Sequence, residues 1–277
     1  MKSFRREGLT FDVRDAGPPD GDPVVLLHGF PQDSTAWDGV APLLAERGLR
    51  TLAPDQRGYS PMARPRGRAT YRLRETTRDV LALLDAAGLA GAHVVGHDWG
   101  GLVAWALGAW HPERVRSLTV LSTPHPGGLL RALGTSTQGL QSAYIAFFQL
   151  PVVPEALLLP RGGAALRRAL LRSGLPEQHA DRYVRRMREP NALSAALGWY
   201  RALPWSSLDP VGTVGVPTLH LWSTGDQALN RAGIEASRRF VDAPYRLEVL
   251  AGLPHWIPEV APERVADLVA GHCGVPR

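Results

Sequence analysis

Between residues 23 and 123, short apolar runs alternate with stretches whose apolar residues recur every three or four positions, and the alternation resumes from residue 217 onward. Val24-Val25-Leu26-Leu27 is continuously apolar, the pattern of a strand buried on both faces, and it runs into His28-Gly29, where the chain must turn. Arg50–Ala53, Ala92–Val95, Ser117–Leu121 and Thr218–Trp222 predict further strands, and the alternating Arg246–Leu250 predicts a last one. Segments 34–47, 71–87, 100–110, 231–241 and 261–271 predict helices between them. Such alternation builds a mostly parallel sheet flanked by helices. Phe4, Leu9, Phe11 and Val13 around Gly8 predict an antiparallel hairpin at one edge.

Residues 127–206 break the rhythm with Leu/Ala/Arg-rich helical stretches, several prolines and no strand pattern. A helical insertion between two strands of a regular sheet reads as a lid over the carboxyl ends of the strands. The expected organisation is therefore an α/β core from 1–126 and 207–277, with a helical cap from 127–206. At 277 residues, 44% hydrophobic and 21% charged, the composition is that of a globular chain with a sizeable core.

The net charge of +5 is concentrated in the cap, where ten arginines face four acids (Glu155, Glu177, Asp181 and Glu189). No aromatic-interleaved basic stripe accompanies them, so a solvated helical surface is expected and a nucleic-acid partner is not. Cys273 is the only cysteine, which excludes an internal disulfide and a cysteine-built zinc site. No run of about 18 apolar residues and no apolar leader after Met1-Lys2 is present, so a cytoplasmic protein without membrane insertion is expected. A homodimer is left open.

The most informative segment is Gly96-His97-Asp98-Trp99-Gly100-Gly101, which follows a strand and opens a helix. Its small-x-nucleophile-x-small form is that of a nucleophile elbow, with Asp98 as the raised residue. The alternative is that Asp98 merely caps its helix. On such a fold the partners follow in the order nucleophile, acid, histidine. His255 precedes the last helical segment, and Asp226 follows the strand Thr218–Trp222 at its carboxyl end; Asp209 lies before that strand and so at the wrong end. His97 reads as a packing residue, and His28, His93 and His220 as buried structural groups. The turn at His28-Gly29-Phe30-Pro31 can aim the Phe30 N–H at the pocket, where with the Trp99 N–H it forms an oxyanion hole.

With these residues in place the chain resembles epoxide hydrolases of the α/β-hydrolase superfamily over nearly its whole length. The resemblance rests on His28-Gly29-Phe30-Pro31, Asp55-Gln56-Arg57-Gly58-Tyr59-Ser60, Gly96–Gly101, Thr123-Pro124-His125-Pro126 and His255-Trp256. In the lid it rests on Ala143–Gln149 and Trp199-Tyr200-Arg201. It implies that Asp98 attacks an epoxide carbon to form an alkyl ester, that Tyr144 and Tyr200 protonate the departing oxygen, and that His255, oriented by Asp226, activates water to release a vicinal diol. Phe30, Trp99, His125, Phe148, Trp199 and Trp256 are the expected substrate walls, with Gln149 beside them. The implied partners are a small epoxide and water, with neither metal nor cofactor. Pro254 departs from the family, which more often has glycine before the histidine.

Haloalkane dehalogenases share the aspartate nucleophile, but their second halide donor is an asparagine where this chain has Phe30. Fluoroacetate dehalogenases carry arginine at the position of Trp99. A binding protein that kept the fold without turnover is the reading from another class.

Overall fold

A computed structural model describes residues 1–136, 138–141 and 143–275. Eight strands form one sheet among these residues: β1 (Ser3–Arg6), β2 (Leu9–Ala16), β3 (Asp22–Leu27), β4 (Leu49–Pro54), β5 (Ala92–His97), β6 (Val115–Leu121), β7 (Thr218–Ser223) and β8 (Tyr245–Leu250). Their order is β1-β2-β4-β3-β5-β6-β7-β8. The β1–β2 and β2–β4 pairs are antiparallel, as the hairpin pattern predicts, and every other pair is parallel. Val24 to Leu27 are fully buried, as a strand covered on both faces must be.

Helices α1 (Val40–Glu46), α2 (Leu73–Ala86) and α3 (Trp99–Trp110) flank the sheet. Between β6 and β7 come α4 (Pro126–Thr135), α5 (Gln138–Gln141), α6 (Ala143–Gln149), α7 (Val153–Leu158), α8 (Pro160–Arg172), α9 (Glu177–Met187), α10 (Ala192–Arg201) and α11 (Leu203–Ser206). The chain then closes with α12 (Arg231–Ala236), α13 (Ile257–Val260) and α14 (Pro262–His272). Helix α9 is fastened to the core: Arg182 pairs with Asp38 at 2.7 Å, Arg186 with Asp55 at 2.5 Å, and Glu189 with Arg64 at 2.7 Å. None of the described helices is long and apolar enough to cross a membrane.

Two predicted helices are interrupted. Residues 34–47 divide into a 3₁₀ turn, Ser34–Trp37, and α1. Pro42 is the cause: it has no N–H to offer, and its ring clashes with the carbonyl four residues earlier, so one α-helix cannot run through residues 38–42. Residues 231–241 divide at Ala236 into α12 and a 3₁₀ turn, Ser237–Phe240, where the Ser237 hydroxyl donates back to the Gly233 carbonyl at 2.8 Å.

The register decides where the chemistry collects. Leu27 lies beside Gly96, Gly96 beside Val120, Leu121 beside Leu221, and Ser223 beside Leu250. The carboxyl ends of β3, β5, β6, β7 and β8 therefore stop near one line, and their loops converge above it. Strand order reverses between β3 and β5, so the loop after each diverges from its neighbour and leaves a crevice at that point.

Candidate active site

Asp98 occupies the crevice. It follows β5 with φ 52° and ψ −120°, a conformation costly for a residue with a side chain, and α3 begins at the next residue. The bend is tight enough that a Cβ on Gly96 would lie 2.2 Å from the Gly100 carbonyl oxygen, and one on Gly100 would lie 2.2 Å from that of Leu27. Although Asp98 stands at the N-cap of α3, its side chain makes no capping bond. Its Oδ1 instead accepts from the Phe30 N–H at 2.8 Å, and the Trp99 amide also favours the charged form of the carboxyl. The Thr123 hydroxyl donates to the Asp98 carbonyl at 2.8 Å and steadies the bend from the end of β6. Gly29 completes the fit, for a Cβ there would sit 2.4 Å from both Cβ and Oδ1 of Asp98.

His255 approaches from the loop after β8. Its Nε2 stands 3.8 Å from Oδ2 of Asp98, and its Nδ1 lies 2.8 Å from Oδ2 of Asp226 in the loop after β7. The other Asp226 oxygen accepts from the backbone N–H groups of Ala228 and Leu229 at 2.9 and 3.0 Å, so a fully buried carboxylate has both oxygens occupied. Asp209 pairs with Arg74 at 2.6 Å. Burial alone pushes the His255 imidazole down, but the charges of Asp226 and then Asp98 outweigh it and hold the ring up at about 9. Burial pushes the Asp98 carboxyl above its ordinary range, while the nearby imidazole and the amides of Phe30 and Trp99 act in the opposite direction. Of the influences opposing burial, the imidazole is the largest.

Two phenols hang over this pair from the inserted helices. Tyr200 of α10 lies edge-on to Trp99, Phe148 and Phe30, with ring centroids at 4.8, 4.8 and 5.3 Å. Tyr144 of α6 lies edge-on to Phe148 at 5.6 Å and to Tyr200 at 6.0 Å, so the two phenols share one aromatic cluster. Burial raises both phenols well above their ordinary value, so each keeps its proton at neutral pH. The Gln149 amide donates to the Tyr200 carbonyl at 2.6 Å and joins α6 to α10.

The remaining predicted wall residues fall in different places. Phe148 packs edge-on between Phe30 and Tyr200. The Trp199 ring meets Trp99 at 5.7 Å, while its indole N–H donates to the Arg57 carbonyl at 2.7 Å and anchors α10 on the loop after β4. Trp256 lies edge-on to His255 at 5.2 Å and donates to the Ser173 hydroxyl at 2.9 Å, bracing the imidazole. His125 is a correction. Its Nδ1 accepts from the Gly127 N–H to cap α4, its Nε2 meets the Gly212 carbonyl at 3.1 Å, and its ring stacks on Phe240, so it is a structural group with both nitrogens used.

Sequence reasoning passed over a polar layer beneath the site. The Gln32 carbonyl oxygen accepts from the Gly29 N–H at 2.8 Å and lies 2.9 Å from Nδ1 of His97, and its amide donates to Glu259 Oε1 at 2.7 Å. The second nitrogen of His97 lies 3.0 Å from the His255 carbonyl. His97 thus supports the histidine loop rather than merely filling space. Burial pushes the Glu259 carboxyl up to about 7, despite donors from Gln32 and Tyr183. Only spacing hinted at these residues: Gln32 follows the Phe30-Pro31 turn, and Glu259 stands one helical turn after His255.

An eight-stranded sheet with this elbow and this histidine loop defines an α/β hydrolase, and the chain belongs to the alpha/beta hydrolase fold family, which it matches over residues 22–262. It is 36% identical over 272 residues to the AB hydrolase superfamily protein YfhM of Bacillus subtilis (strain 168), a match covering 95% of this chain and 93% of that one. It is 31% identical to Epoxide hydrolase A of Mycobacterium tuberculosis, covering 93% and 92% of the two chains. The crystal structure of Epoxide Hydrolase A from Mycobacterium thermoresistibile superposes with a TM-score of 0.84 at 27% identity, over 98% of this chain and 96% of the other.

Proposed function

We propose that this protein is an epoxide hydrolase that works through a covalent alkyl ester on Asp98. The observation that carries the reading is the placement of one carboxylate beside two backbone N–H groups and an imidazole, with two packed phenols over them. An epoxide carbon is electrophilic, but its oxygen leaves as an alkoxide and needs a proton. Tyr144 and Tyr200, neutral and facing the site, supply it while an oxygen of Asp98 attacks the carbon from the opposite side. The products of this step are the ester, a free hydroxyl and one tyrosinate, which carries the charge that Asp98 gave up.

Esterification removes the charge of Asp98, one of the influences holding the His255 proton on. The ring then gives up that proton more readily, which restores the tyrosinate to a phenol, and becomes the base that draws a proton from water. The hydroxide formed adds to the ester carbonyl, whose oxygen moves onto the N–H groups of Phe30 and Trp99. Collapse returns the carboxylate and releases a vicinal diol. Losing one such donor typically costs about 3 kcal/mol of transition-state stabilisation, so the two amides carry a large share of the second step. Helices between residues 127 and 206 act as the lid in this scheme, and the mostly aromatic wall of Phe30, Trp99, Phe148 and Tyr200 suits a neutral, apolar epoxide.

The relatives named as epoxide hydrolases support the reading, as does Phe30 at the place where a dehalogenase needs a side-chain donor. A panel of aryl and alkyl epoxides, haloalkanes and haloacetates, with diol and halide measured in parallel, tests it. Diol with little halide is expected; halide from the halogenated compounds without diol from any epoxide would replace it with the dehalogenase reading.

A further inference from the structure

Beneath the elbow lies a buried carboxyl that the scheme above does not use. Glu259, on α13, accepts at Oε1 from the Gln32 amide at 2.7 Å and from the Tyr183 hydroxyl of α9 at 2.8 Å, and its Oε2 is buried without a hydrogen-bond partner. Among the described residues that oxygen is unsatisfied, which is unfavourable, so an apolar side chain would fill the same space at less cost if packing were the whole role.

The geometry of Gln32 shows what the carboxyl does. A carboxamide can be turned over, exchanging its oxygen and nitrogen within nearly the same volume. Here two neighbours forbid the exchange. Turned over, the NH₂ group would face the Gly29 N–H, donor against donor, and the amide oxygen would face Glu259 Oε1. In the observed orientation the Gln32 oxygen holds Gly29, the residue before the Phe30 amide, and meets His97, the residue before Asp98. His97 in turn reaches the His255 carbonyl. One carboxamide therefore holds the Phe30 loop and lies against the residue before Asp98, and the His97 ring, with one N–H for two acceptors, packs between it and the His255 loop.

We propose that Glu259 is a positioning residue: it holds the Gln32 carboxamide in the orientation that registers the Phe30, Asp98 and His255 loops against one another, and its Tyr183 bond ties α9 to that arrangement. The proposal rests on the aspartate-ester reading for its effect on rate. Its structural half stands independently of the reaction.

The test compares E259L, E259Q and Q32M with the wild-type chain, using styrene oxide turnover and ¹⁵N NMR of the histidine rings without substrate. E259L and Q32M should lower kcat on the order of 10- to 100-fold with KM within about threefold, as expected when reacting groups shift by a fraction of an ångström to an ångström. E259Q should recover most of that loss, because its amide oxygen can accept from both Gln32 and Tyr183. The ring ¹⁵N shifts of His97 should change in E259L and stay near wild type in E259Q. If E259L does not fold, Q32M and E259Q carry the same comparison. Wild-type kcat in folded E259L or Q32M, or an unchanged His97 spectrum in both, would overturn the proposal. If the wild-type chain opens no epoxide, the reaction scheme fails, and the His97 spectra still decide whether Glu259 sets the Gln32 contact.

Discussion

Replacing Gly29 by alanine adds a single methyl group, and the structure sets its consequence. That methyl would lie 2.4 Å from Cβ and Oδ1 of Asp98 and 2.8 Å from Cγ. Comfortable carbon contacts lie near 3.5–4.0 Å, so about 1 Å of separation must be found. Neither side yields easily. Asp98 is rooted between β5 and α3 at a strained φ, and the Gly29 N–H is held by Gln32. The soft element is the Asp98 side chain, and rotating it away stretches the 2.8 Å bond from the Phe30 N–H and changes the 3.8 Å approach of His255. A displacement of ~1 Å at a reacting group costs on the order of 10²-fold in rate, equal to about 2.7 kcal/mol in the barrier. The overpacking itself should lower stability by about 1–3 kcal/mol.

Initial rates of diol formation, with urea unfolding alongside, measure both effects. The control is Gly271→Ala, since a Cβ on Gly271 meets nothing within 4 Å and the position is inside α14. Gly271→Ala should keep wild-type activity and gain stability by up to ~1 kcal/mol. A folded Gly29→Ala variant with kcat/KM within about threefold of wild type would refute the idea that the Asp98 carboxylate is pinned against this loop.

Tyr200→Phe removes a proton donor while keeping the ring contacts with Phe30, Trp99 and Phe148. Ester formation should slow about 10²-fold or more in pre-steady-state measurements, and Tyr144→Phe, Tyr200→Phe together should slow it further; an unchanged alkylation rate in the double variant would remove the phenols from the scheme. Asp226→Asn tests the imidazole's orientation. The Ala228 and Leu229 N–H groups require an oxygen at Oδ1, so the new NH₂ must face His255 Nδ1 and force the proton onto Nε2. Ester hydrolysis should fall by about 10⁴-fold while ester formation is affected far less, and single-turnover rates that fall equally in both steps would contradict that division. For the wild-type chain the hydrolysis rate should rise with pH through a midpoint below the resting value of about 9, because the ester no longer carries the charge that helps hold the His255 proton. A rate flat from roughly pH 6 to pH 9 would show that the base is not an imidazole.

How far the sequence alone reached depended on whether a feature is local. Val24–Leu27 and the elbow after Val95 declare themselves by a handful of adjacent residues, since a doubly buried strand must be apolar throughout and a tight bend must lack Cβ atoms. The meeting of Asp98, Asp226 and His255 was legible because strand order fixes which loops share an edge of the sheet. The polar layer was not. Gln32, His97 and Glu259 are ordinary residues individually, and their function arises from contacts across 65 and 227 positions of chain. His125 misled because it stands in a motif-like run just after β6, yet its buried ring is held between Trp105 and Phe240. The helical period across 34–47 hid the break at residues 38–39, although Pro42, whose missing N–H outweighs that period, carries its signal.

The most direct test concerns which atom first bonds to the substrate carbon. With His255→Gln, ester formation should proceed while its hydrolysis stalls, so mass spectrometry after incubation with excess styrene oxide should find the substrate's mass added to the peptide carrying Asp98. A folded variant that binds the epoxide yet carries no adduct there, or carries one on another residue, would contradict the account.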